Sequence, residues 1–173
     1  YEIALDASDT PDLLRQEEAR IIAAGAEYIV VKTPVDCPAL LFSMQSLGYT
    51  FVETVFHVMI RRDEYHMPAS IARFDRGLRV VERREEADRE RIYALIRRGV
   101  FKSDRVSIDP AFGREKGGNR YANWLRSMLA RGGFLYEVLS GDKPIGFFVI
   151  CRKDETTVDP VLMGMYDEEG DRG

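Results

Sequence analysis

Residues 134–152 read FLYEVLSGDKPIGFFVICR. Two β-rich runs, 134–139 and 144–152, flank the turn Ser140–Gly141–Asp142–Lys143, and that arrangement predicts a β-hairpin. The apolar run at 156–166 predicts a further strand. A hairpin is marginal alone and needs more strands and a covering layer to bury its apolar face. The preceding residues must therefore supply helices.

Those helices are legible. Residues 10–24 (TPDLLRQEEARIIAA) predict one: Thr10 or Asp9 caps it, Pro11 suits its first turn, and Gly25 ends it. Its apolar stripe is Leu13, Leu14, Ala19, Ile21 and Ile22. Residues 28–32 (YIVVK) read as a short buried strand and 36–47 (DCPALLFSMQSL) as a helix stopped by Gly48. Residues 51–62 (FVETVFHVMIRR) read as a long strand, although apolar and polar residues only partly alternate there. Residues 63–77 lack a period and read as a connector. The pattern then restarts with a strand at 78–82 and a charged helix at 85–98, which has Ile92, Leu95 and Ile96 on one face. An irregular segment follows at 99–118, then a helix at 119–131 closed by Gly132 and Gly133. The expected organisation is an N-terminal α/β subdomain (1–64), a connector (65–77) and a second domain (78–173). The expected class is α/β in the broad, α+β sense, with a largely antiparallel sheet flanked by helices.

Composition narrows the function by exclusion. The net charge is −4 and the pI about 5.3. Non-specific nucleic-acid binding needs a net basic face, so no nucleic acid is expected. No apolar run approaches the ~20 residues that span a bilayer, so no membrane is expected. Cys37 and Cys151 lie far apart in apolar surroundings, and His57 and His66 are the only histidines. Neither a disulfide framework nor a metal site is expected, and the thiols read as buried ones in a cytoplasmic protein.

Several stretches, taken in order, resemble a known family. They are residues 26–54 (AEYIVVKTPVDCPALLFSMQSLGYTFVET), 101–112 (FKSDRVSIDPAF), 119–129 (NRYANWLRSML) and the hairpin. Together they resemble the GNAT superfamily of N-acetyltransferases, and within it the TDP-fucosamine acetyltransferase-like enzymes, over roughly residues 26–166. The resemblance implies a strand, two helices and three antiparallel strands, preceded by a partial, similarly built subdomain. It implies acetyl-CoA as cosubstrate and a small primary amine as acceptor, such as an amino sugar on a nucleotide. Attack would be direct, without a covalent enzyme intermediate.

The resemblance also nominates residues. In the family, the last of these strands runs into a loop of the form [QR]-x-x-G-x-[GA]. Its backbone N–H groups hold the coenzyme A pyrophosphate as an anion at a helix N-terminus. Here the sequence continues as YDEEGDRG, with Gly170, Arg172 and Gly173 at that point among Asp167, Glu168, Glu169 and Asp171. It departs from the full motif, and an approach to a phosphate loop and an acidic tail both remain open readings.

The implied pantetheine slot falls where the last two strands splay, at Ile150, Leu162, Met163, Gly164 and Met165. The plainer reading of these residues is burial in a sheet. Phe101, Arg105, Asp109, Arg120, Tyr121 and Trp124 are the acceptor-side candidates, arginine for a diphosphate and the rings for stacking. Core packing is the first reading for Trp124. No catalytic residue carries over; Glu137 is a candidate base, set against an ordinary outward-facing strand position. A second class stays open: a non-catalytic binding or dimerisation module, as in a homodimer, using an exposed sheet edge.

Overall fold

The computed structural model describes residues 1–75, 77–102 and 104–166. The chain divides into two compact units, Tyr1–Val58 and Met59–Gly173. The mixed α/β class holds in both.

In the first unit, β1 (Glu2–Ala4) and β2 (Val30–Lys32) run parallel, joined through α1 (Pro11–Ala23), and α2 (Pro38–Ser46) follows. Thr10 caps α1 by accepting the Leu13 N–H at 3.3 Å, and Pro11 occupies the first turn, where a missing N–H costs nothing. The core is Ile3, Leu5, Leu14, Ile21 and Leu40. The three-residue β1 was not foreseen, because EIA is too short to show a period.

The strand expected at 51–62 is not formed. The segment up to residue 61 carries no regular structure, and Phe51, Phe56 and Val58 are exposed. Its apolar residues fall on both faces, which asks for burial on both sides, and no described strand offers it a ladder. A β-prone run without a partner has nothing to pair its backbone with.

In the second unit, α3 (Ala69–Asp75) occupies part of the expected connector. The sheet then orders as β3 (Leu78–Glu82), β4 (Phe134–Ser140), β5 (Lys143–Arg152) and β6 (Val158–Met165), antiparallel throughout. One face is covered by α4 (Glu86–Leu95), a π turn (Ile96–Val100) and α6 (Gly113–Ala130). Ile92, Ile96, Ala122, Leu125 and Met128 meet Leu135, Phe147, Val149 and Leu162 there. On the other face Tyr136 stacks on Phe148 at 5.1 Å, while Val80, Met163 and Met165 are exposed.

The region expected to be irregular, 99–118, is largely helical. It holds the end of the π turn, the short α5 (Arg105–Ile108) and the first turns of α6, which starts six residues earlier than Asn119. Gly117 and Gly118, at the end of the segment expected to be irregular, are packing glycines. A Cβ at Gly118 would lie 2.9 Å from the Arg97 carbonyl oxygen, and one at Gly117 would meet Ser107 Oγ. The absent side chains let α6 approach the π turn and α5.

Asp104 starts α5 by accepting the N–H groups of Val106 and Ser107 at 3.0 and 3.2 Å. Replacing Asp104 with alanine removes this cap and should cost about 1 kcal/mol. A thermal melt checks this as a drop of a few degrees against wild type; an unchanged midpoint would contradict the capping role.

Candidate functional site

The outer edge of β6, which no strand pairs among the described residues, is the first element of the site. The β5–β6 register pairs Val149 with Leu162 but Ile150 with Pro160, so Val161 is an extra, bulged residue. Tyr166 N–H donates to the Ile145 carbonyl at 2.9 Å. Alternation along an antiparallel ladder then turns the N–H and C=O of Met163 and Met165 away from β5. β6 is the last strand of its sheet, so among the described residues these groups face no further strand. A Pro at position 160 is compatible with an edge strand at a bulge.

The residues expected to line a pantetheine slot divide between the two faces of the sheet. Leu162 is buried in the core beneath the helices. Gly164 faces the same way, and a Cβ there would lie 2.6 Å from Val100 Cγ1 and 2.9 Å from Phe147 Cε1, so interior packing accounts for this glycine. Ile150, Met163 and Met165 belong to the opposite face, with Met163 and Met165 exposed. A ligand following this strand would meet its backbone edge rather than all five side chains. Gly170, Arg172 and Gly173 lie outside the described residues.

The acceptor-side candidates come together in part. Phe101 lies against Tyr121 with centroids 4.2 Å apart, and its edge meets Phe147 at 6.3 Å. Arg120 places its guanidinium 5.2 Å from the Tyr121 ring and 5.8 Å from the Trp124 ring. Such cation–π stacking fixes the guanidinium beside the core while the residue stays exposed. Tyr121 is itself buried, and burial followed by the Asp104 carboxylate pushes its phenol up. Burial alone would raise the Asp104 carboxyl, but hydrogen bonds from Ser107 and Val106 hold it below the usual range. Trp124 is half-buried against the core, as its first reading anticipated. Arg105 opens α5 and Asp109 follows it, its Oδ1 accepting the Ala111 N–H at 2.8 Å.

Glu137 departs most from expectation. The reading of an ordinary outward-facing strand position does not hold: Glu137 is fully buried on the helical face of β4. Arg83 Nε donates to its Oε2 at 2.9 Å, and Arg91 Nη2 donates to its two oxygens at 2.9 and 2.8 Å. Tyr166 Oη donates to Oε1 at 2.8 Å. Burial would raise the carboxyl's pKa, but the bonds from Arg91, Tyr166 and Arg83 outweigh it and hold it below the usual range. Burial, and then Glu137, push the Tyr166 phenol far up. A carboxylate so engaged holds charge and is poorly placed to take a proton from an incoming amine. The signal was present in the sequence: Leu135, Glu137 and Leu139 share one strand phase, and both leucines are core residues.

Among the described residues no group of three or more His, Cys, Asp or Glu side chains is placed to hold a metal ion, and no helix is long and apolar enough to cross a membrane. No family model, no curated protein and no solved structure matches the chain.

Proposed function

We propose that the chain is an N-acetyltransferase that takes acetyl from acetyl-CoA along the bulged outer edge of β6 and delivers it to a primary amine. The observation that carries this reading is that edge. An extended arm containing amides needs alternating N–H and C=O partners, and the Met163 and Met165 backbone groups supply such a row next to the Val161 bulge. The order β3–α4–α6–β4–β5–β6, with the π turn and the short α5 between α4 and α6, supports it as well, since the sequence resemblance implies a strand, two helices and three strands. Phe101, Arg120, Tyr121 and Trp124 would supply the acceptor side, as a guanidinium held on aromatic rings. An amino sugar on a nucleotide is the acceptor class that the resemblance suggests.

In the reaction the amine nitrogen attacks the thioester carbonyl. The new C–N bond forms, the C–S bond breaks, and the thiolate leaves to be protonated as the amine loses its proton. Backbone N–H groups at the bulge would serve as donors to the oxyanion.

Incubating the chain with acetyl-CoA and a panel of amines, while following free coenzyme A thiol with a chromogenic disulfide, tests the reading. Amine-dependent thiol release supports it. A folded chain that releases none with any amine in the panel counts against it.

A second reading is favoured by a separate observation. Phe51, Val55, Phe56, Val58, Met59 and Ile60 are all exposed, an apolar concentration unusual for a surface that stays in water. In this reading the chain is a binding or dimerisation module that uses exposed β-prone chain and a sheet edge. Light scattering across a concentration series separates the two: a catalytic monomer keeps one mass, whereas the module self-associates.

A further inference from the structure

The first unit carries most of the chain's negative charge. Residues 1–58 hold nine Asp and Glu side chains against three Arg and Lys, a net charge of −6, whereas the whole chain carries −4. All three cationic side chains are already engaged: Arg15 with Asp12 at 2.7 Å, Arg20 with Glu17 at 2.7 Å and Lys32 with Glu2 at 2.8 Å. Glu18 and Glu27 pair with no cation among the described residues.

These two glutamates help line a cleft of ≈ 310 Å³ at the C-terminal ends of α1 and α2, near the small end of the range for ligand pockets, about 300–1,000 Å³. Glu18 and Ile22 are four residues apart on α1 and so share one flank of that helix. Ile29 and Leu47 are half-buried and pack on the core of the unit, making an apolar floor, and Ile22, 56% exposed, extends it. Among the described residues no Arg or Lys lines the cleft. One cation touches a lining residue: the Tyr1 ammonium donates to the Tyr28 carbonyl at 2.9 Å, and Tyr1 itself is not part of the lining. Both helix dipoles present their negative ends here, although N–H groups of Gly25 and Gly48 already bond the Ile22 and Gln45 carbonyls.

Tyr49 lines the cleft beside Glu18. Burial, and then the Glu18 carboxylate, push its phenol up to about 12. Its hydroxyl oxygen is shielded from water and makes no hydrogen bond among the described residues. Shielded polar groups are normally paired, so this one marks a place where a donor is missing. We propose that the cleft binds a small primary alkylammonium ion, with its hydrocarbon body on Ile22, Ile29 and Leu47 and its ammonium group donating to Glu18. A bare metal cation would leave the apolar floor unused, and a carboxylate would meet two glutamates and two negative helix ends. The site lies in the first unit, whereas every residue given to acetyl transfer lies in the second. It therefore goes beyond the acetyltransferase reading and does not depend on it.

Methyl NMR on the whole chain, labelled at Ile and Leu, locates and ranks the ligands in one experiment. Hexylammonium should shift the Ile22, Ile29 and Leu47 methyl signals saturably. Hexanol, its neutral counterpart, should bind at least tenfold more weakly, the scale of a lost charge-assisted hydrogen bond. Glu18→Gln should weaken hexylammonium by the same factor. Glu27→Gln, at an exposed position, should weaken it by about fivefold at most. No saturable shift, shifts confined to methyls of the second unit, equal affinity for hexylammonium and hexanol, or a folded Glu18→Gln that binds as well as wild type would overturn the proposal. The hexanol comparison uses wild type alone, so it decides the matter even where a variant fails to fold. Acetyl-CoA takes no part in the assay, so its result stands whether or not the acetyltransferase reading holds.

Discussion

Replacing Glu137 with alanine should lower the stability of the second unit by about 3 kcal/mol, the low end for breaking a buried ion pair. The low end applies because the arginine side chains left behind, with relative exposures of 22% for Arg83 and 40% for Arg91, can recover part of their hydration. Tyr166→Phe removes a single donor from the same carboxylate and should cost less, about 1–2 kcal/mol. Urea denaturation of the two variants gives the order, and a Glu137→Ala midpoint equal to wild type would contradict it.

The pH dependence has a defined sign. The folded Glu137 carboxyl lies below its ordinary value of 4.5. The unfolded chain therefore binds its proton first as pH falls, and the stabilisation is complete above the ordinary value and lost as pH drops through the folded one. The stability difference between wild type and Glu137→Gln should be widest above about pH 4.5 and narrow below it.

The second large effect is expected at Gly118. A side chain there would meet backbone: Arg97 oxygen at 2.9 Å, Arg97 Cα at 3.1 Å and Ile96 oxygen at 3.2 Å. No rotamer change relieves those contacts, so α6 and the π turn would have to separate. Gly118→Val should cost about 3 kcal/mol, the upper part of the range for overpacking. Gly118→Ala should cost less, because alanine regains up to about 1 kcal/mol of helix propensity. Thermal unfolding checks both, and a Gly118→Ala variant more stable than wild type would contradict the close approach.

Gly118 also shows what the sequence could and could not convey. A glycine pair before a strong helical pattern reads as a loop, because the same lack of a side chain serves a turn and a close helix contact. Only the neighbour across the contact distinguishes the two. The hairpin and the helices α1, α2 and α4 were legible because their signals are local: a turn of fixed length, a cap, an apolar stripe. The segment 51–62 was misread because β-propensity reports a preference for a half-buried pleated surface, and the partner that provides such a surface is not local. Glu137 was misread for a related reason. Its strand phase pointed inward, but the arginines and tyrosine that make an inward carboxylate tolerable come from β3's end, α4 and the end of β6. The split of the β6 candidates between two faces follows from strand alternation alone, whereas the bulge at Val161 depends on register and could not be read from one strand.

Calorimetric titration with acetyl-CoA, run in parallel on wild type and Met163→Pro, tests the central claim most directly. Proline at position 163 removes an N–H that points away from β5, so the described ladder keeps its bonds while the outer edge loses a donor. The account predicts saturable binding by wild type and at least tenfold weaker binding by Met163→Pro, with circular dichroism unchanged. A folded wild-type chain that gives no heat with acetyl-CoA, or a Met163→Pro variant that binds it equally well, would contradict the account.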